Sequence, residues 1–451
     1  MSTSILNIGR TGAAAARASL ELTAQNIANA SNSDYTRRRM DQVELVGTAR
    51  IDRQSRSTLN GVLIGDVRRF DSEFGQRQVR ASTSDLARVA TEISGLRDAE
   101  LALEESGLYE KLIDFEASLT LLESDPTDPA LRTGALETAR QLTQTFQTAE
   151  FALSNARSFI ESELTAGVET VNGTASELAR INVELVNARE GTAGRAALLD
   201  ARDAALRDLS EEVGITATFD EFGAAEVRVL ADPPPPGETG VLLVSGSNFS
   251  QLSATTNNGN LSLAVGGASF TAVGGAMAGR SSALSDIAGR QVELDAIANS
   301  IIIGANAAQA AGSALDGSPG QPLFSGNGAS DIALVLDDGA GLALAPAGAP
   351  AGSRDTSNLG NLIAAFGADN GPIAATDRML LSLSSRISGL DSLRDGLAII
   401  AESAEANLLA EVGVDLDTEA TNLIRLQQAF EANSRVMQVA TELFDTILGL
   451  G

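Results

Sequence analysis

A long helical periodicity dominates the second quarter of this sequence. From Leu142 to Leu185, apolar or small residues recur at steps of three or four, which places them on one face of an α-helix. An unbroken helix over this segment contains about 44 residues and is roughly 65 Å long. Periodicity that continues beyond about 25 residues is typical of a coiled coil or a rod, not of a compact globule. We therefore predict a mainly α chain with an elongated helical trunk.

A change in the residue pattern at Val213 predicts a small β domain. Short apolar runs separated by glycine and asparagine turns replace the helical pattern there. Helical periodicity resumes at about residue 281, so the β domain is inserted into the trunk. The predicted strands cover residues 215–219, 227–230, 241–244, 261–265 and 269–273.

These patterns divide the chain into five predicted segments. Each terminal segment contains a long, coiled-coil-like helix, and the trunk is interrupted by the β domain. The segments are an N-terminal helix within 1–45, the first part of the trunk over 46–212, a β-rich outer domain over 213–275, the second part of the trunk with loops rich in Gly, Ala and Pro over 276–410, and a C-terminal helix within 411–451.

Both terminal segments carry apolar faces that are too wide for a single partner helix. In the C-terminal segment, one apolar seam has the seven-residue spacing of a coiled coil. We predict that the two terminal helices pack on each other and that part of their apolar surface stays uncovered. The C-terminal seam positions are Leu416, Leu423, Phe430, Met437 and Phe444, with Leu426, Asn433, Leu443 and Ile447 beside them; the N-terminal ones include Leu6, Leu20 and Ile27.

Two interpretations of these termini stay open at this point. One is an ordinary antiparallel hairpin of helices inside one core. The other is a subunit whose terminal helices also pack against neighbouring copies, and a heterologous interface of that kind builds rings or helical tubes. Asn433 either sets the register of such packing, as polar residues in apolar seams do, or lies at the edge of the seam.

Composition excludes several kinds of chemistry. The chain has no cysteine and no histidine, so it contains no Ser-His-Asp triad, no Cys-His nucleophile and no zinc site built on those ligands. A net charge of −27 argues against binding to nucleic acid or to an anionic membrane. No apolar run approaches the roughly 20 residues of a membrane span, and no cleavable secretory signal is recognised. We predict no cofactor, no metal and no catalytic residue, although catalysis by carboxylates alone remains open.

Polar residues that resemble chemical sites are each predicted to be structural. We expect the acidic run Asp415–Glu419 to cap a helix and Asp337–Gly339 to form a turn. The pair Asp200 and Asp203 is expected on a solvated helix face or in contact with the neighbouring Arg202. The basic run Arg37–Arg39 is expected to be polar surface.

Both ends of the sequence resemble those of bacterial flagellar axial proteins, the rod, hook and hook-associated proteins. The N-terminal resemblance rests on Asn26–Ala30, Asn32 and Tyr35–Arg37. The C-terminal run Leu416–Asn433, with Leu443–Leu448, is similar to the hook-associated protein 1 family. Interior segments similar to the trunk of that family are Asp125–Pro129 with Arg132, Leu198–Asp203 and Pro322–Gly326.

The resemblance implies a structural, non-enzymatic subunit of the ring that joins the flagellar hook to the filament. It implies that the terminal helices form an inner tube, and that the partners are identical subunits, the hook protein, hook-associated protein 3 and a cytoplasmic export chaperone. It also implies type III export from the cytoplasm to an extracellular site on the flagellum. The residues predicted for assembly or chaperone binding are Leu6, Leu20, Ile27, Asn29, Tyr35, Leu416, Leu423, Leu426, Phe430, Asn433, Met437, Leu443, Phe444 and Ile447.

Two alternative functions remain open. One is another axial protein, either hook-associated protein 3 or a rod component. The other is a glycan hydrolase with two carboxylates about 5–10 Å apart in a cleft of the β-rich region.

Overall fold

The computed structural model describes residues 2–45, 61–235, 237–257 and 259–448. The side chains of residues 2, 3, 45, 447 and 448 lie outside this description, so the seam position Ile447 does too. The helices are α1 (Ser2–Ala28), α2 (Glu73–Ser106), α3 (Leu108–Leu121), α4 (Pro129–Asn187), α5 (Ala193–Glu212), α6 (Gly275–Ala310), α7 (Leu359–Gly367), α8 (Pro372–Val412) and α9 (Leu416–Leu448).

The predicted long helix is α4, and it is longer than the sequence pattern indicated. It spans 59 residues, or roughly 88 Å. Its first turn is stabilised by Asp128, whose carboxylate accepts hydrogen bonds from the backbone N–H groups of Ala130 and Leu131 at 2.7 and 3.1 Å. Pro129 occupies the first turn, where its missing N–H costs nothing. The apolar periodicity predicted the helix only from Leu142 onward, so the first turns, which Asp128 and Pro129 stabilise, were not predicted.

The trunk core lies between α2, α3, α4, α6 and α8. Its centre contains three aromatic rings: Phe115 meets Phe324 and Phe366 edge-on, with centroids 6.1 and 5.0 Å apart. Edge-on contact suits the ring quadrupoles and adds to the gain from apolar burial. Phe324 and Phe366 come from the segment 276–410, which was predicted to contain loops rich in Gly, Ala and Pro; Phe366 lies on α7.

A β-rich unit follows α5 and packs on α4 and α5 through a second apolar core. One antiparallel sheet has the order β3-β4-β5-β6 and the other the order β7-β8-β9. The fold class predicted from the sequence, mainly α with a small inserted β domain, is confirmed. The strands are β3 (Ile215–Phe219), β4 (Ala225–Leu230), β5 (Gly240–Ser245), β6 (Asn248–Phe249), β7 (Leu252–Asn257), β8 (Asn260–Val265) and β9 (Ala268–Phe270).

A β-hairpin near the N-terminus was not predicted. Strand β1 (Arg38–Leu45) pairs antiparallel with β2 (Gly61–Arg69), and Arg38 lies opposite Arg69. The terminal segment 1–45 therefore ends in a strand, and β2 opens the segment 46–212. Charged residues make up half of β1 and hide its alternation of side chains, which explains the omission.

Short strands in the second part of the trunk complete the described fold. They form two small antiparallel pairs beside a 3-10 turn over Gly339–Gly341. In the described ranges, no helix is both long and apolar enough to cross a membrane. No group of three or more acidic side chains in these ranges is arranged to hold a metal ion. The pairs are β10 (Gly312–Ser313) with β13 (Ala345–Pro346), and β11 (Phe324–Ser325) with β12 (Ala333–Leu334).

Candidate functional site

The two terminal helices pack against each other in antiparallel fashion. Gly9 faces Met437 and Gly12 faces Asn433, so the contacts run in opposite directions along α1 and α9. A Cβ atom on Gly12 would lie 2.4 Å from Oδ1 of Asn433, which is closer than real contacts allow. Glycine at this position lets the helices approach until the Asn433 side chain touches the α1 backbone.

Small side chains line the buried part of this helix pair. Alanines dominate it, so the helix axes can come close to each other. Thr11 of α1 accepts a hydrogen bond from the N–H of Val62 at 3.3 Å, which fixes β2 alongside the pair. The buried apolar residues of the pair are Ala13, Ala15, Ala16, Leu22 and Ala440.

The pairing leaves much of both apolar faces uncovered. Among the predicted seam residues, the half-buried ones are Leu20, Ile27, Leu423, Leu426, Asn433 and Met437. Leu6 and Leu416 are 41% and 54% exposed. We call the exposed set the terminal apolar surface; it consists of Ile5, Leu6 and Ile8 on α1, and of Leu416, Ile424, Phe430, Val436, Val439, Leu443 and Phe444 on α9.

The turn between α1 and β1 is organised by Asn26. This side chain is 1% exposed; its Nδ2 donates to the carbonyl of Arg38 at 2.9 Å, and its Oδ1 accepts from the Arg38 N–H at 3.2 Å. The hydroxyl of Tyr35 donates to the same Oδ1 at 2.8 Å. Burial raises the pKa of Tyr35, which keeps this hydroxyl protonated as a donor. Asn26 and Tyr35, which both belong to the N-terminal resemblance, thus close one polar turn.

Asn29, also predicted as a site residue, has only a local contact. Its Nδ2 donates to the carbonyl of Gln25, four residues earlier in the same helical segment, at 2.8 Å. The structure therefore brings Asn26 and Tyr35 together and leaves Asn29 half-exposed at the end of α1.

Arg37 connects this turn to the start of α9. Its Nε donates to Glu419 at 2.7 Å, and Glu419 is buried. Its backbone N–H donates to the carbonyl of Val412 at 2.9 Å, and its guanidinium lies 5.0 Å from the ring centre of Phe70. Asp415 caps α9 as predicted, because its carboxylate accepts from the Thr418 N–H at 2.6 Å.

A buried ion-pair cluster anchors the hairpin to the trunk, which corrects the prediction for Asp200 and Asp203. Asp200 accepts from Arg38 at 2.6 Å and from Arg69 at 2.7 Å, and Asp203 accepts from Arg69 at 2.6 Å. Burial alone lowers the pKa of Arg69, but Asp203 and Asp200 outweigh that effect and raise it. Arg38 is correspondingly buried, so only Arg39 of the basic run is exposed.

This cluster was hidden in the sequence because its partners lie far apart in the chain. The local contact of Asp203 with Arg202 was predicted and is present at 2.7 Å. The pairing with Arg69, 134 positions away from Asp203, depends on the hairpin that was missed. The one available signal was the similarity of Leu198–Asp203 to a family motif. Because guanidinium groups engage both carboxylates, the pair is not available for acid–base catalysis.

Two family models match this chain. The model described as the flagellar hook-associated protein FlgK helical domain matches residues 98–324, just over half of the chain. The model described as the flagellar basal body rod FlgEFG protein C-terminal matches residues 406–450, which include all of α9. A helical trunk with paired terminal helices, together with these matches, defines the class as a flagellar axial protein. Within that class, the chain belongs to the family of flagellar hook-associated protein FlgK.

Individual relatives carry the same description. The chain is 26% identical to flagellar hook-associated protein 1 of Escherichia coli (strain K12) over 266 residues, which are 56% of this chain but only 45% of that protein. It is 24% identical to flagellar hook-associated protein 1 of Bacillus subtilis (strain 168), over 99% of this chain and 98% of that protein. The solved flagellar hook junction protein FlgK from Burkholderia pseudomallei has a TM-score of 0.49 and 22% identity, covering 55% of this chain and 46% of that chain.

Proposed function

We propose that this protein is a structural subunit of the ring that joins the flagellar hook to the filament, and that the filament requires it for assembly on the hook. The observation that carries the proposal is the terminal apolar surface. Large apolar side chains stay exposed on two helices that already pack against each other. An exposed patch of this kind marks a site of association, since it would otherwise promote aggregation.

The form of this surface favours a ring or tube. The α1 face and the α9 face differ in sequence, so a neighbour that covers one with the other makes a heterologous contact. Repetition of a heterologous contact closes into a ring or continues as a helix. The proposed partners along the axis are identical copies, the hook protein on one side and hook-associated protein 3 on the other.

Before assembly, the exposed apolar residues of α9 need another binding partner that shields them from water. We infer that a cytoplasmic export chaperone binds the stripe that contains Leu416, Phe430 and Phe444, because all three are exposed in the single subunit. The protein then leaves the cytoplasm through the flagellar export apparatus and functions outside the cell. Neither nucleic acid nor a membrane is a proposed partner.

The first experiment removes the gene and examines the cells by electron microscopy. We expect hooks without filaments and flagellin released into the medium. Hooks that are missing altogether would instead favour a rod component, and normal filaments would contradict the proposal. Complementation with a chain that lacks residues 415–451 should fail to restore filaments. That cut keeps Val412, which packs with Val79 and Leu408 in the trunk, so the trunk should stay folded.

A matched pair of variants tests the surface itself. Val439 is 55% exposed on α9, and Gln438 beside it is exposed as well. Val439→Asp puts a charge into the proposed apolar contact and should abolish filament growth, whereas Gln438→Asp should retain it. Both proteins should show the helical content of the parent chain. Equal motility of the two variants would mean that this surface does not mediate assembly.

The alternatives receive less support. Immunolabelling of purified hooks would separate a position next to the hook from the adjacent layer expected for hook-associated protein 3. The glycan hydrolase alternative requires two carboxylates in a cleft of the β-rich region. Glu73 and Glu226 line the cleft beside β3 and β4, but each is paired with an arginine, Arg77 and Arg228, which does not favour this alternative. Release of reducing sugar from a glycan by the pure protein would revive that alternative.

A further inference from the structure

A cleft lies between the first turns of α2 and the outer face of the sheet that contains β3 and β4. Its volume is about 570 Å³. Thr216 lies opposite Arg228 in the β3–β4 register, so both project from the same face of the sheet. The charged and polar residues that line it are Glu73, Arg77, Arg80, Thr216, Thr218, Glu226, Arg228 and Thr239. We call this the arginine cleft.

Arg80 distinguishes the arginine cleft from an ordinary charged surface. The residue is 5% exposed, and its Nη1 has no hydrogen-bond partner among the described residues. Burial lowers the pKa of Arg80; the charges of Asp203 and Glu73 oppose this effect, and those of Arg202 and Arg77 add to it. A buried guanidinium without a partner is costly, because it has lost its water without gaining a counter-charge.

The other two arginines of the cleft are already paired. Arg77 contacts Glu73 at 2.8 Å, and Arg228 contacts Glu226 at 3.1 Å and also Glu238. These pairs hold the two guanidinium groups at the rim of the cleft while leaving further N–H donors on each. Among the described residues, Arg80 is the arginine of the cleft for which no ion pair is found.

The surrounding interior has an excess of positive charge. This is unusual in a chain whose net charge is −27. Of four buried arginines in this region, three contact one or both of two buried aspartates, whereas no ion pair of Arg80 is found among the described residues. These groups are Arg38, Arg69, Arg80 and Arg202 on one side, and Asp200 and Asp203 on the other.

We propose that the arginine cleft binds a phosphate group, with Arg80 as its principal ligand. A guanidinium presents parallel N–H donors that match two oxygens of such an anion. The rim arginines supply further N–H donors, while their charges are balanced by Glu73, Glu226 and Glu238. The hydroxyls of Thr216 and Thr239, which lie 3.5 Å apart, can donate to the remaining oxygens. The bound group is either the free ion or a phosphate monoester.

The test is a binding titration of the full chain with inorganic phosphate by calorimetry, at an ionic strength held constant with sodium chloride. We expect saturable binding and a rise in thermal stability that chloride does not reproduce. Arg80→Gln should weaken binding by about tenfold or more, since it removes a charge-assisted contact. A parallel titration with phosphoserine separates the two sources: tighter binding of phosphoserine assigns the site to a monoester, and tighter binding of phosphate to the free ion.

Two further variants keep the result interpretable. Arg77→Gln changes an exposed rim residue, so it should fold and weaken binding several-fold less than Arg80→Gln. Arg140→Gln, in an exposed pair with Glu137 on α4, should bind like the parent. Without phosphate, Arg80→Gln should be at least as stable as the parent because an unpaired buried charge is gone. Absence of saturable binding, or equal binding by the parent and Arg80→Gln, would overturn the proposal.

Discussion

Asn26 illustrates how one amide side chain can take the place of a missing strand partner. It satisfies both the N–H and the C=O of Arg38 at the point where β1 begins. It also holds Tyr35 in the turn. An amide carries both a donor and an acceptor, which neither a carboxylate nor a hydroxyl offers in the same geometry.

Asn26→Ala should therefore lower the free energy of unfolding by about 2–3 kcal/mol, because buried backbone groups lose their partners. Asn29→Ala is the matched control in the same signature. It removes one local contact at a half-exposed position and should change stability by less than about 0.5 kcal/mol. Urea denaturation of the purified variants measures both values. Similar losses for the two would mean that Asn26 does not organise the turn.

Glu150 provides a pH-dependent test. Gln291 donates to its Oε1 at 2.7 Å, while its buried Oε2 has no partner among the described residues. Burial raises the pKa of Glu150, and nearby Asp295 adds to the rise, so the folded state binds a proton more readily than the unfolded state. This group therefore costs stability once the pH exceeds its raised pKa, and the cost vanishes below the ordinary pKa of a glutamate.

Glu150→Gln should increase the free energy of unfolding at pH 7, because it removes the charge and keeps the contact with Gln291. The advantage over the parent should shrink as the pH falls and disappear below about pH 4. Denaturation at a series of pH values follows the difference. An advantage that stays constant with pH would show that the carboxylate charge is not its source.

The helices and strands show which parts of the fold can be predicted from sequence. Continuous apolar periodicity predicted α4, and alternating apolar residues around a glycine turn predicted the β3–β4 hairpin. The hairpin of β1 and β2 was missed because its strands are held by long-range ion pairs and by α1, not by an apolar face of their own. Strand β7 was missed because Ser, Thr and Asn fill it.

The terminal pair of helices, α1 and α9, was likewise predicted from the sequence only in part. Sequence spacing predicted that the two helices pack and leave apolar surface over. It did not predict which seam residues face inward, because that choice depends on where glycines such as Gly9 and Gly12 admit the partner helix. The assignment of the individual seam residues to assembly remains a prediction.

Substitution by alanine at two glycines of α4 should affect the stability of the protein differently. A Cβ on Gly173 would meet no atom within 4 Å, whereas one on Gly167 would lie 2.7 Å from both Arg280 and Glu212. Those two side chains form an ion pair at 2.8 Å across the helix. Gly173→Ala should stabilise the protein by about 0.5–1 kcal/mol through helix propensity.

Gly167→Ala has the same propensity gain but crowds the ion pair, so its net effect should be smaller or destabilising. Thermal denaturation of the two variants side by side gives the comparison. Equal stabilisation by both would indicate that the ion pair shifts away from the helix at no cost.

At the scale of the whole chain, a strongly negative charge is combined with the terminal apolar surface. Neighbouring copies with a net charge of −27 repel one another, and salt screens that repulsion over about 8–10 Å at physiological ionic strength. If the terminal apolar surface drives assembly, subunit addition to purified hook ends should increase between about 0.01 M and 0.15 M sodium chloride.

Counting labelled subunits by fluorescence microscopy measures this addition, and Val439→Asp provides the baseline at each salt concentration. Addition that decreases with salt would instead point to attractive ion pairs between subunits as the main contribution. The two outcomes differ in sign, so a qualitative trend is sufficient.

The pairing of α1 with α9 also determines when the subunit can finish folding. Arg37 and Glu419, which join the two ends, are 382 positions apart, so their contact closes a very long loop. Contacts of such high sequence separation form late, after local helices and hairpins. During translation, α9 is the last described helix to be made, and α1 waits for it throughout. A chain that lacks α9 cannot form the paired ends, so under the proposed function a product that ends before α9 would not be incorporated.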